Sequence, residues 1–168
     1  MSSTLDHTVD PADEAPHPPG PEEWFNESWY LDFVDDDGAV AGYVRLGLHP
    51  NQNVAWWTAA FIAPDLPCVM STNYALALPA PGSMSTSAGD TSIECIVVDA
   101  LKAFRVVASA PAVAHEHAAG VYDGSGGAPT TMSFDVEWTT DGEPYHYVLS
   151  PRYEIPSRAR GTITVGDR

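Results

Sequence analysis

The stretch from Glu27 to Pro64 holds three runs of alternating apolar and polar residues, separated by two tight-turn sequences. That pattern commits the chain to antiparallel sheet, because a period of two places every second side chain on the same face. The first turn is Asp35-Asp36-Asp37-Gly38 and the second Pro50-Asn51-Gln52-Asn53. The spacing predicts strands over Asn26–Val34, Ala39–His49 and Val54–Ala63. In the first, Trp29, Leu31 and Phe33 share one face, and Ser28, Tyr30 and Asp32 the other. In the second, Val40, Val44, Leu46 and Leu48 oppose Tyr43, Arg45 and His49. A two-residue turn at Asp37-Gly38 would set Trp29 opposite Leu46 and Tyr30 opposite Arg45, with Asp32 diagonal to the arginine. A longer loop would shift the partners and keep the faces. The third strand carries no charge on either face. Such a strand is covered on both sides, one side being the barrel interior.

Further along, a fourth strand is expected over Pro67–Leu78, then a small-residue loop, PAPGSMSTSAGD. Ser92–Val98 and Leu101–Ser109 read as strands. The segment VVDALKAFRVV can be written as a short helix, but its β-branched flanks favour strand. Ala110–Thr130, rich in alanine and then glycine, reads as an irregular crossing or a helical turn with a loop. Met132, Phe134, Val136 and Trp138 alternate inward on the next strand, and Asp141-Gly142 predicts a hairpin into Tyr145–Leu149. A last strand covers Gly161–Val165. Eight or nine strands and no long helix predict an all-β fold: an antiparallel β-barrel or a strongly curled sheet.

Composition limits the partners. The chain has 168 residues, enough for one domain with a sizeable core, and a formal charge of −16. That field repels phosphate backbones and anionic membranes, so nucleic acid is excluded as a partner. Residues 1–23 are acidic and proline-rich, which predicts a disordered leader ahead of a single domain over 24–168. The N-terminus has neither a basic start nor an apolar run, and no stretch of about 18 apolar residues occurs, so neither a secretory signal nor a membrane span is expected. A cytoplasmic location with Cys68 and Cys95 reduced follows as the expectation.

No phosphate-loop, dinucleotide or nucleophile-elbow motif is present, and no cofactor is expected. His115-Glu116-His117 is the one metal-like cluster; without a third ligand it reads as an exposed loop. Arg45 is the only cation in the first 101 residues. It reads either as half of a bracing pair with Asp32 or Glu27, or, with Tyr30 and Tyr43, as a polar anchor in an apolar cavity. Trp29, Trp56 and Trp57 are core or cavity wall; the last two are adjacent, so they face opposite ways. The candidate ligand-binding set is therefore Trp29, Tyr30, Tyr43, Arg45, Trp56 and Trp57.

Glu27-Ser28-Trp29-Tyr30, a short acidic turn, the Gly42-Tyr43-Val44-Arg45-Leu46 strand and an aromatic third strand resemble the E-W-W-Y opening of the lipocalin-related family of carotenoid 1,2-hydratase and the AttH-like proteins. Arg152–Asp167 also has a counterpart in an uncharacterised bacterial branch. Ser28 stands where the family's opening motif has its second residue, a tryptophan. The resemblance implies two consecutive calycin-like barrels around an apolar ligand site, so that this chain is a single-barrel version or the N-terminal half of a longer protein. It also implies binding of a lipophile of isoprenoid, sterol or polyketide type. The alternatives are a hydratase or cyclase that uses Glu27 or Asp32 together with a second barrel, and an interaction half-domain that pairs with a second barrel or with its own copy.

Overall fold

The computed structural model describes residues 8–147 and 150–168. The fold is all-β, and its main sheet is antiparallel, barrel-like and nearly closed. Its first four strands are β1 (Glu27–Val34), β2 (Ala41–His49), β3 (Val54–Ile62) and β4 (Cys68–Leu76), paired in sequence order. Then come β5 (Ser85–Ala88), β6 (Thr91–Asp99) and the long β7 (Ala103–His115). A single helical turn, α1 (Gly120–Asp123), leads to β8 (Gly127–Thr140). A small ribbon of β9 (Tyr145–His146) and β10 (Tyr153–Glu154) precedes β11 (Ser157–Val165), which pairs with β8. None of the helices among the described residues is long and apolar enough to cross a membrane.

The β1–β2 register is the one a short turn dictates: Trp29 opposite Leu46, Tyr30 opposite Arg45. The Asp35 carboxylate holds the connection by accepting from the Ala39 and Val40 N–H groups at 2.7 and 2.9 Å. Gly38 takes φ 69° at the tip, which glycine adopts without steric cost.

One edge of β7 is shared. Residues 103–109 lie within its pairing with β6 and residues 113–115 pair with β4, while β8 runs along the other edge. Pro111 falls at the handover, where its missing N–H costs no ladder bond. Its carbonyl accepts from Ser71 Oγ at 2.7 Å, and Ser71 in turn accepts from the Trp57 indole at 3.2 Å. Trp138 of β8 donates to the Asp32 carbonyl of the edge strand β1 at 2.9 Å and meets the Phe33 ring at a tilt, 6.4 Å between centroids. β8 itself is paired on both sides, by β7 and β11, so a side chain, not strand pairing, ties it to β1.

The interior is filled. On β3, Ala55, Trp57, Ala59 and Phe61 alternate small and large, all buried, and Trp57 meets Phe134 edge-on at 6.4 Å. Leu46, Val69, Ile93, Val106, Met132 and Val136 complete one continuous core. The inward set expected on β8 is buried as anticipated, and both cysteines are free, Cys95 with its thiol pushed up to about 12 by burial.

Four parts of the chain depart from the sequence expectations. Residues 110–115 continue β7, with Ala110 and Ala112 facing the core; alanine's weak strand preference hid that alternation. The small-residue loop after β4 contains β5, and buries Met84 and Thr86. The hairpin expected from Asp141-Gly142 does not form: β8 pairs with β11, and Tyr145–His146 pairs with Tyr153–Glu154 (residues 148 and 149 of that hairpin lie outside the described residues). The Asp141 N–H bonds to the Pro156 carbonyl, so the intervening ribbon is an excursion between the paired strands. Finally, where a disordered leader was expected, residues 8–23 lie against the sheet as a strap. Val9 and Glu14 are buried, and the Trp29 indole donates to the Glu14 carbonyl at 3.0 Å. The Asn51 amide donates to the Gly20 and Glu22 carbonyls at 2.9 and 2.7 Å, and Gln52 Nε2 to the Glu23 carbonyl. Prolines leave few N–H groups to satisfy, so a few side-chain donors tie the strap down without strand pairing.

Candidate functional site

The candidate residues divide between two faces. Trp29 and Trp57 are core residues. Tyr30, Tyr43, Arg45 and Trp56 lie on the outer face of β1–β3, where Tyr30 and Tyr43 stack at 5.4 Å and Trp56 sits between His49 (3.9 Å) and Tyr74 (5.3 Å). The expected set thus does not converge on one cavity, and the interior side of the wall is occupied by protein. The bracing pair expected of Arg45 is also replaced. Its described hydrogen bond is a long one, 3.3 Å, to Asn26 Oδ1. Asp32 is exposed opposite Tyr43, and Glu27 bonds elsewhere.

Glu27 opens β1 on the inward-facing parity, at the end of the barrel where the strap crosses. There, a cleft of about 360 Å³ lies between the strap and the loop after β4. Pro16, Pro19, Phe25, Leu48, Leu78 and Pro81 supply apolar wall. His17 and Glu27 are its charged members. The Glu27 carboxylate accepts from the His17 backbone N–H at 2.8 Å and meets His17 Nδ1 at 2.5 Å, while Asp13 stands 3.6 Å from Nε2. The hydrogen bond to Glu27 raises the His17 pKa above its ordinary value, with the nearby carboxylate charges adding to it and partial burial opposing it. The charged form of the imidazole is therefore more favoured than in a free histidine.

A second cleft, about 400 Å³, opens beside Thr8, Val9, Leu101, Glu143 and Pro144. Below it, burial raises the Glu14 carboxyl pKa, although Oε2 accepts from the Leu101 N–H at 2.7 Å. Leu101 is one of two non-glycine residues at positive φ among the described residues, at 61°.

The histidine cluster does not assemble. His115 ends β7 buried, its Nδ1 3.3 Å from the Ser125 carbonyl, while Glu116 and His117 are exposed. No group of three metal-ligating side chains occurs among the described residues.

Sequence reasoning missed His17, Phe25, Leu48 and Leu78. A signal was present: a histidine among carboxylates within the leader, followed directly by the aromatic pair Trp24-Phe25, is unusual for a tail that only solubilises.

Residues 10–168 match the family described as a domain of unknown function, DUF7064. The chain belongs to that family, and the match begins within the strap, before β1. No curated protein and no solved structure matches the chain.

Proposed function

We propose that the chain binds a lipophilic small molecule of isoprenoid, sterol or polyketide type, in the cleft at the barrel end and not in the barrel interior. The observation that carries this reading is the cleft itself: about 360 Å³, walled by proline, leucine and phenylalanine, with one charged couple, His17–Glu27, in its lining. Small-molecule sites are concave, mostly apolar and oriented by a few polar groups. A carboxylate that already accepts from His17 keeps further lone pairs, so it suits a ligand with an apolar body and one hydroxyl.

Farnesol and its hydrocarbon counterpart farnesene separate the two contributions. Titration followed by tryptophan fluorescence is expected to saturate with farnesol, and Phe25→Ala and Pro81→Asp weaken both ligands. His17→Ala weakens farnesol and leaves farnesene unchanged. A flat response across terpenoids, sterols and polyketides would sink the proposal.

The couple favours a second reading. An imidazole whose protonated form is favoured and a carboxylate beside an apolar cleft are the parts that acid–base addition of water to a C=C bond, or a cyclisation, requires. Turnover that disappears in Glu27→Gln while ligand binding survives supports this reading; binding without turnover leaves the chain a carrier.

A further inference from the structure

Leu48 lines the cleft, whereas its neighbour Gly47 faces the opposite side of β2, between Ser28 of β1 and Trp56 of β3. A Cβ on Gly47 would stand 3.4 Å from Asn26 Oδ1, 3.5 Å from an Arg45 terminal nitrogen and 3.5 Å from His49 Nε2. Glycine leaves room there for a single atom at van der Waals contact, and polar atoms surround it.

Two of those groups lack the partners their chemistry calls for. His49 is only 5% exposed, yet neither ring nitrogen has a hydrogen-bond partner among the described residues. A buried polar group left so is costly and calls for an explanation. Burial first, and then the Arg45 charge, lower its pKa, so the ring is neutral and carries one N–H. Arg45 is half-buried, bonded to a neutral amide and joined to no carboxylate among the described residues, in a chain with 23 Asp and Glu. The acidic side chains, abundant as they are, leave this guanidinium open.

We infer that Arg45, His49 and Asn26 form a binding site over Gly47 for the carboxylate of a planar organic acid. One carboxylate oxygen accepts from the Arg45 guanidinium and the other from the His49 N–H. Guanidinium suits a carboxylate because its N–H groups are coplanar and permanently charged. The long Arg45–Asn26 contact is the bond that yields on entry. A flat apolar body then rests on the ring surface formed by Trp56 and Tyr74 on one side and the Tyr30–Tyr43 stack on the other. The overall negative charge slows the approach of an acid, but within a Debye length of about 8 Å the local cation dominates.

The test pairs indole-3-acetate with its uncharged isostere, indole-3-acetamide, on the full chain, read by the side-chain NMR signals of His49. The acid is expected to shift those signals saturably and to bind roughly tenfold or more tightly than the amide, as charge-assisted hydrogen bonds outweigh neutral ones. Arg45→Gln removes the preference. Gly47→Ala removes binding by filling the space; its Cβ meets neighbours at ordinary van der Waals distances, so the fold survives. Should Gly47→Ala fail to fold, Arg45→Gln and the acid–amide pair carry the test. Equal affinity for acid and amide, or unchanged acid binding in Gly47→Ala, overturns the inference. So does a His49 signal that no millimolar carboxylate moves, which would leave an ordered water as the sole occupant.

Discussion

The two faces of the β1–β4 wall are made of adjacent residues and do opposite work. Inward, Trp57 is 1% exposed between Ala55 and Ala59 and meets Phe134 of β8, a strand of the same sheet. Outward, Trp56 is half-buried, packed only against His49 and Tyr74 among the described ring contacts. The inner face spends its aromatic surface on cohesion, whereas the outer face keeps rings and a cation available. Both of the sites proposed above accordingly lie outside the lumen, one at the barrel's end and one on its outer surface. The difference comes from size alternation: small–large–small on β3 fills the interior where a run of small residues would have left a cavity.

The largest effect expected from breaking this contrast is Trp57→Ala, which should destabilise the fold by about 3–5 kcal/mol in urea unfolding, the usual cost of deleting a buried large aromatic. Trp56→Ala should cost about 1 kcal/mol or less, as for a partly exposed side chain. Comparable losses at the two positions would erase the distinction between the faces.

Ala59→Leu addresses the filled interior directly. Added methylenes in a packed core cost about 1–3 kcal/mol, so the variant should unfold at lower urea. A wild-type midpoint would mean that open space lies beside Trp57.

The smallest effects belong to the histidines at the two proposed sites, and their signs oppose. The folded pKa of His17 is raised, so its contribution is complete below the ordinary histidine value of about 6.5 and is lost as pH rises through the folded value. The folded pKa of His49 is lowered, so stability is lost as pH falls below about 6.5 through its folded value. His17→Ala should flatten the alkaline side of the stability–pH curve and His49→Gln the acid side. One variant flattening both sides, or neither doing so, contradicts the pairing of each histidine with its own surroundings.

Much of this wall was legible in the sequence, because strict alternation fixes faces and the acidic turn fixes the β1–β2 register. The all-β class and the inward set of β8 followed from the same periodicity. The site was less legible. Alternation tells that Trp29 and Trp57 point inward, but not whether the inside is hollow; that depends on what β6–β8 place opposite them. The sequence left Arg45 either paired with Asp32 or Glu27 or serving as a polar anchor with Tyr30 and Tyr43; its described hydrogen bond goes to Asn26, one residue before β1 begins. The strap was hidden because proline-rich acidic composition argues for a solvated tail, and the donors that hold it, Asn51 and Gln52, lie in a turn about thirty residues later in the chain. The pairing of β8 with β11 was likewise masked by a nearer turn signal at Asp141-Gly142.

Ligand placement is read most directly by the indole N–H signals of the tryptophans during a farnesol titration. Trp29 bonds to the Glu14 carbonyl under the strap, Trp24 precedes Phe25 at the cleft, and Trp57 bonds to Ser71 in the core. Binding at the barrel end should move the Trp24 and Trp29 signals and leave Trp57 in place. Movement of Trp57 with Trp24 unchanged would put the ligand in the lumen and contradict the account.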